Sequence, residues 1–151
     1  MKFSDIFFSL LIALSAFSCS SNPIINGGNN VVISSDEANL KIEASPQIYT
    51  PIMSSTVGIL LKPIYKNIND YKLVFKTDKG FFLEWKNQVK NLGQETNYEK
   101  NDLYWSYDYE NKFTDAEIKL SVFKKSNNDL VLTKNINIKV DNNGLATVVN
   151  N

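Results

Sequence analysis

The residues with most chemistry to offer lie between positions 98 and 117. Asp102, Asp108, Glu110, Asp115 and Glu117 gather five carboxylates there, and Tyr98, Tyr104, Trp105, Tyr107 and Tyr109 place five rings within 12 residues. Loop carboxylates suit a hard cation such as calcium, which takes oxygen ligands. Two facing carboxylates could instead flank a glycosidic bond, one protonating the leaving oxygen while the other acts as base or nucleophile. The acids here lack the fixed spacing of a calcium loop, and Lys112 and Lys119 intrude among them. A solvated face accounts for them better, so neither a metal, a cofactor nor a catalytic residue is expected.

Residue types that are missing narrow the chemistry further. The chain has no His, and all 16 of its basic groups are lysine, balanced by 16 acidic groups. Without imidazole there is no Ser/His/Asp or Cys/His triad and no His-containing metal site. Without guanidinium, and with zero net charge, the electrostatic footprint of a nucleic-acid-binding protein is absent. No Ser-x-x-Lys opens a helix, and only six glycines are present, two of them paired at Gly27-Gly28 away from any phosphate-cradle pattern.

The rings carry the more informative signal, because Tyr and Trp dominate recognition surfaces and sugar stacking. Trp105, Tyr107 and Tyr109 share parity with Leu103 and are expected in the core. Tyr104 falls on the other side. With Tyr98 and Phe82 it makes the candidate binding surface.

Strands must position these side chains, because the hydrophobic period along the chain is two. Leu40-Lys41-Ile42-Glu43-Ala44 alternates apolar with charged residues, as a half-buried strand requires. Val57, Ile59 and Leu61, then Tyr71, Leu73 and Phe75, then Phe81, Leu83 and Trp85 continue the pattern. Thr77-Asp78-Lys79-Gly80 reads as a hairpin turn, with Gly80 supplying positive φ. Ile118, Leu120 and Val122 make a further face, as do Leu130, Leu132, Ile136, Ile138 and Val140. Lys134 breaks that last parity and marks a bulge or an edge. About seven short strands in about 110 residues imply an all-β fold, an antiparallel β-sandwich.

Tyr71 to Trp85, Asp102-Leu103-Tyr104-Trp105-Ser106-Tyr107, Ala116-Glu117-Ile118-Lys119-Leu120-Ser121-Val122 and Ile136-Asn137-Ile138-Lys139-Val140 together resemble bacterial immunoglobulin-like domains. In that group an aromatic-rich strand precedes an Ala-x-Ile-x-Leu/Val-x-Val strand and a closing Ile-x-Ile-x-Val strand. The resemblance spans about Leu40 to Val140 and implies an immunoglobulin-like sandwich in an extracytoplasmic setting, without implying an activity.

The N-terminus supplies an address. Lys2 precedes an apolar run from Ile6 to Phe17 that is too short for a comfortable membrane span and reads as a secretory signal. Ala16-Phe17-Ser18-Cys19 resembles a relaxed bacterial lipobox, which implies cleavage before Cys19 and lipidation of that residue. A thioether-linked lipid explains a solitary cysteine at that place better than a free thiol does. Ser20 follows it, not the Asp that retains enteric lipoproteins at the inner membrane, so outer-membrane placement is open. The expected organisation is a signal peptide over 1–18, the lipidated Cys19 with a flexible tether over 19–37, and a sandwich over 38–151. Loss of the signal removes one lysine and one aspartate, so neutrality persists.

The sequence therefore points to a lipid-anchored envelope protein, held on a membrane through Cys19, whose immunoglobulin-like domain is a non-catalytic binding, adhesion or structural module. Its ligand would be a protein or a glycan. One alternative is a small inhibitor or immunity-type protein using a loop over Asn87 to Asn101. Another is a carbohydrate-active enzyme with two carboxylates converging in a cleft.

Overall fold

A computed structural model describes residues 31–35, 40–52, 54–110 and 115–149. The expected signal peptide, Cys19 and most of the expected tether lie outside the described residues. Twelve strands are present among the described residues: β1 (Val31–Ser35), β2 (Leu40–Ser45), β3 (Ile48–Tyr49), β4 (Ile59–Ile64), β5 (Tyr71–Thr77), β6 (Phe81–Trp85), β7 (Val89–Gly93), β8 (Glu95–Asn97), β9 (Leu103–Ser106), β10 (Asp115–Lys124), β11 (Leu130–Val140) and β12 (Ala146–Val149). They form two six-stranded sheets, ordered β1-β2-β4-β9-β6-β7 and β3-β12-β11-β10-β5-β8. Every pairing is antiparallel. The chain is an antiparallel all-β sandwich.

Alternation in the sequence becomes burial on the inner faces. Leu40, Ile42 and Ala44 of β2, Ile59 and Leu61 of β4, Ala116 to Val122 at every second residue of β10, and Ile136 and Ile138 of β11 all join one core. Each fully buried Leu, Ile or Phe contributes about 2–3 kcal/mol of transfer free energy. Trp105, Phe75 and Phe82 are the largest side chains sealed in this interior. The strand count exceeds the expected seven because β1, β3, β7, β8 and β12 are short pieces at or near the sheet edges, where few alternating residues accumulate. The folded part also starts earlier than position 38: Val31 and Ile33 of β1 pack into the core from within the segment expected to be tether.

The Thr77–Gly80 connection is not a hairpin. β5 pairs with β10 and β8 in one sheet, whereas β6 pairs with β9 and β7 in the other. The segment is an arch that carries the chain across the core. The Trp105 indole N–H lies beneath it, donating to Thr77 Oγ1 at 3.2 Å and to the Lys79 carbonyl at 3.1 Å. Gly80 has φ 74°, and a Cβ there would meet the Ser106 carbonyl oxygen at 2.4 Å and the Trp105 ring at 2.9 Å. The hairpin of this region comes later, at Lys86–Gln88, where Trp85 pairs with Val89.

Lys134 sits where the sequence places an edge. β12 pairs with β11 only from Asn137 onward, so among the described residues Leu130–Asn135 has β10 on one side and no strand on the other. Lys134 keeps the core-facing parity of Ile136 and Ile138 and lies opposite Leu120. A charge turned inward on an open strand discourages pairing with a second sheet.

Two outcomes follow from these contacts. Gly80→Ala should lower stability by roughly 3 kcal/mol or more, combining ~1–2 kcal/mol of left-handed backbone strain with ~1–3 kcal/mol of overpacking. Gly93, also at positive φ but with nothing within 4 Å of its Cβ position, should show only the backbone part on the same substitution, and paired urea melts check the contrast. Lys134→Ile should shift sedimentation velocity toward larger species; an unchanged sedimentation coefficient would show that this lysine guards nothing.

Candidate functional site

Phe82, expected at the surface, is 0% exposed and packs edge-on against Phe75 with ring centroids 6.0 Å apart. The correction has a definite cause. The arch inserts a sheet change between β5 and β6, so parity does not carry from Phe75 through the turn, and it is Phe82 that points inward. Leu83 and Trp85 consequently face out.

Tyr104 does lie on the outward side of its strand, opposite in parity to the fully buried Trp105, yet it is only 9% exposed. The register explains what covers it. Leu60, Tyr104, Leu83 and Asn91 form one rung across the outer face of the sheet, and Trp85 with Val89 forms the next toward the β6–β7 turn. Leu83 and Tyr104 are buried without belonging to the central core; they form a small outer cluster. Trp85 caps it, its ring 6.0 Å from that of Tyr104 at 60°, while remaining 40% exposed beside the half-exposed Val89. Sequence reasoning passed over Trp85 because it counted that residue with the core face; the one available signal was its position between two charges, Glu84 and Lys86.

Tyr98 follows β8, where its N–H donates to the Leu73 carbonyl at 2.9 Å and its ring packs against Phe75 at 6.2 Å. It is half-buried and lines a cavity of about 220 Å³ together with Glu84, Lys90, Leu92, Glu99 and Asp102. Glu84 and Lys90 pair with each other on the inner side of the sheet, the face opposite that of Trp85 and Val89, so the cavity and the outer cluster lie on different faces. Burial pushes the phenols of Tyr98 and Tyr104 up from the usual tyrosine range, and the Asp102 carboxylate raises both further. In sequence Asp102 also precedes Leu103, the cross-strand partner of Glu84, and Glu84 is ion-paired to Lys86 at 2.9 Å. The structure thus sets Tyr98 against Phe75 at the cavity and Tyr104 on the outer face of the first sheet with Trp85, and it buries Phe82.

The other candidate residues disperse. Asp115 bonds Lys139 at 2.6 Å, which holds its carboxyl below the usual range. Asp108 accepts the Glu110 N–H at 3.1 Å within a local turn, and the Glu117 backbone N–H donates to the Asp78 carboxylate at 2.7 Å. Among the described residues no three acidic side chains come together as a metal site. Tyr109, expected in the core, is 43% exposed, because β9 ends at Ser106 and the alternation lapses there. Tyr107 stays buried through its hydroxyl, which donates to the Gly144 carbonyl. The Asn87 to Asn101 segment is not a long loop, since β7 and β8 occupy most of it.

No family model, curated protein or solved structure matches the chain. No helix among the described residues is long and apolar enough to cross a membrane.

The reassignment of Phe82 can be checked by stability alone. Phe82→Ala should cost about 3–5 kcal/mol, the range for removing a fully buried ring, as read by chemical denaturation. A cost under about 1 kcal/mol would return the residue to the surface.

Proposed function

We propose that this chain is an exported envelope protein, anchored by lipid on Cys19, whose immunoglobulin-like sandwich acts as a non-catalytic binding module. The observation that carries the binding role is Trp85, a large ring that is 40% exposed on the outer face of its sheet while packed against the buried Tyr104. An exposed indole seated on Tyr104 loses little rotamer freedom when a ligand covers it, and rings of this kind dominate recognition energetics. The lipobox-like Ala16-Phe17-Ser18-Cys19 supports the anchor, and several acyl chains at ~0.8 kcal/mol per buried methylene hold a protein firmly on a membrane.

The inhibitor reading has no long loop over Asn87 to Asn101 to draw on, since β7 and β8 run through that segment. A hydrolytic reading rests on Glu84, Glu99 and Asp102, which line one cavity, and there Glu84 is already engaged by Lys86.

The anchor is tested by Cys19→Ala. The unsubstituted protein should enter the detergent phase on phase separation and incorporate labelled palmitate, and the substituted protein should do neither. Detergent partitioning and labelling that survive the substitution would end the proposal of an anchor at this cysteine.

A further inference from the structure

We infer that the cavity beside the start of β5, lined by Lys72, Lys100 and Lys125, binds a phosphomonoester, carried either by a small soluble molecule or by a lipid headgroup. This site is separate from the Trp85 surface and does not depend on the binding role proposed for it.

Backbone geometry makes the cavity. β8 pairs with β5 only over Val74–Lys76. The Tyr98 N–H still reaches the Leu73 carbonyl at 2.9 Å, and the chain then leaves for β9 in the other sheet. Lys100 makes that departure at φ 60°, in the left-handed region that a residue with a Cβ rarely enters. The tight turn over Ile68–Asp70 supplies another wall and follows Asn67, at φ 55°. Lys125 arrives from the end of β10, on a connection whose Asn128 stands at φ 59°. These are the non-glycine residues at positive φ among the described residues, and all three lie in the turns that frame this one cavity. Backbone strain of this kind gathers where a ligand is held.

One neutral residue fixes two of the ammonium groups. Lys100 Nζ donates to Asn69 Oδ1, and Lys125 Nζ donates to the Asn69 carbonyl oxygen at 2.9 Å. The Lys125 N–H adds a bond to the Asp70 carbonyl at 3.0 Å, which ties the end of β10 to the same turn. Lys72 joins the lining from β5, and Glu99 is its acidic residue. Among the described residues the ion pairs engage Lys76, Lys86 and Lys139, and none of the three lysines of the cavity. Like charges gathered on a neutral partner repel one another, and an anion placed among them turns that repulsion into attraction.

Donor chemistry selects the anion. An ammonium group is a compact point charge with rotatable donors, whereas a carboxylate is matched best by the flat guanidinium fork that this chain lacks. Three ammonium groups on one cavity suit the three free oxygens of a phosphomonoester better than the two of a carboxylate. Its charge, about −1.5 to −2 at pH 7, also meets the balance of three lysines against Glu99. The cavity holds about 420 Å³, more than phosphate alone fills, so the remaining space takes the group that carries it. Ile68, Tyr71 and Leu73 give that group an apolar wall, in which the Tyr71 ring is braced edge-on by Tyr65 at 4.7 Å.

Isothermal titration calorimetry of the full chain in neutral detergent micelles provides the test. The probes are glycerol phosphate, succinate as a carboxylate of similar charge, and micelles doped with phosphatidic acid, which presents glycerol phosphate on a lipid. At least one phosphate probe should bind saturably, and at least tenfold more tightly than succinate. Lys100→Gln and Lys125→Gln should each lower that affinity roughly tenfold, the order expected for losing a hydrogen bond to a charged group. Asn69→Ala should weaken binding by a similar factor without changing the charge of the protein, because both ammonium groups lose their hold. Lys76→Gln, which removes an ion-paired lysine outside the cavity, should leave affinity unchanged. Thermal unfolding of each variant should stay within a few degrees of the parent, and the two exposed lysine variants carry the test if Asn69→Ala does not.

Saturable binding of glycerol phosphate that follows these variants supports a soluble ligand. Binding that appears only with phosphatidic acid, and follows the same variants, supports a lipid headgroup. No saturable heat from either phosphate up to millimolar concentration overturns the inference. So does binding that succinate matches, or that Lys100→Gln and Lys125→Gln both leave intact.

Discussion

An indole N–H enclosed in hydrocarbon must find an acceptor, since an unmet donor there costs ~1–3 kcal/mol. In this sandwich that requirement falls on Trp105. Its acceptors, Thr77 Oγ1 and the Lys79 carbonyl, come from the arch that moves the chain from one sheet to the other. One side chain thereby ties β9, in the centre of the first sheet, to the end of β5, in the second. Gly80 completes the arrangement, because the arch passes so close to the indole that no Cβ fits between them. Rings then relay the packing toward the far end: Trp105 lies 5.8 Å from Tyr107, and Tyr107 lies 6.1 Å edge-on from Tyr49. Tyr49 closes the series by donating to the Val57 carbonyl at 3.0 Å and bonding Ser106 Oγ at 2.9 Å.

The candidate site is the outward expression of the same strand. β9 turns Trp105 inward and Tyr104 outward, so the core that holds one ring fixes the height and tilt of the other. Trp85 rests on that outer ring, while Glu84 and Lys90, one residue along each strand, turn to the inner side and line the cavity. The groups of the candidate site come from β6, β7, β9 and the segments on either side of Asn97 rather than from one long loop.

Much of the fold was legible in the period of two. Leu40 to Ala44, Ile118 to Val122 and Ile136 to Ile138 face the core as their alternation requires, and Lys134 marks an open edge by standing in an apolar series. The misreadings share one physical origin. Alternation tells which residues share a face, but it does not tell which sheet a strand joins. At Thr77–Gly80 a hairpin and an arch have the same turn chemistry; only the buried indole beneath decides, and it is 25 residues or more away in sequence. Phe82, Leu83 and Trp85 were inverted together for that reason. β1 was missed because Val31, Val32 and Ile33 are a short β-branched run between polar neighbours, and Tyr109 because its strand ends three residues earlier.

The order of strands in the first sheet has a mechanical consequence. The chain enters this sheet at Val31 on one edge, while Trp85 lies four strands away near the opposite edge, about 19 Å at ~4.8 Å per strand. Tension between those two points runs across the strands, a direction in which a ladder opens one hydrogen bond after another instead of all at once. The β1–β2 ladder, with two apolar anchors in Val31 and Ile33, stands first in line. A pull on the N-terminal side would therefore peel β1 away while the ring surface and the Trp105 arch keep their shape.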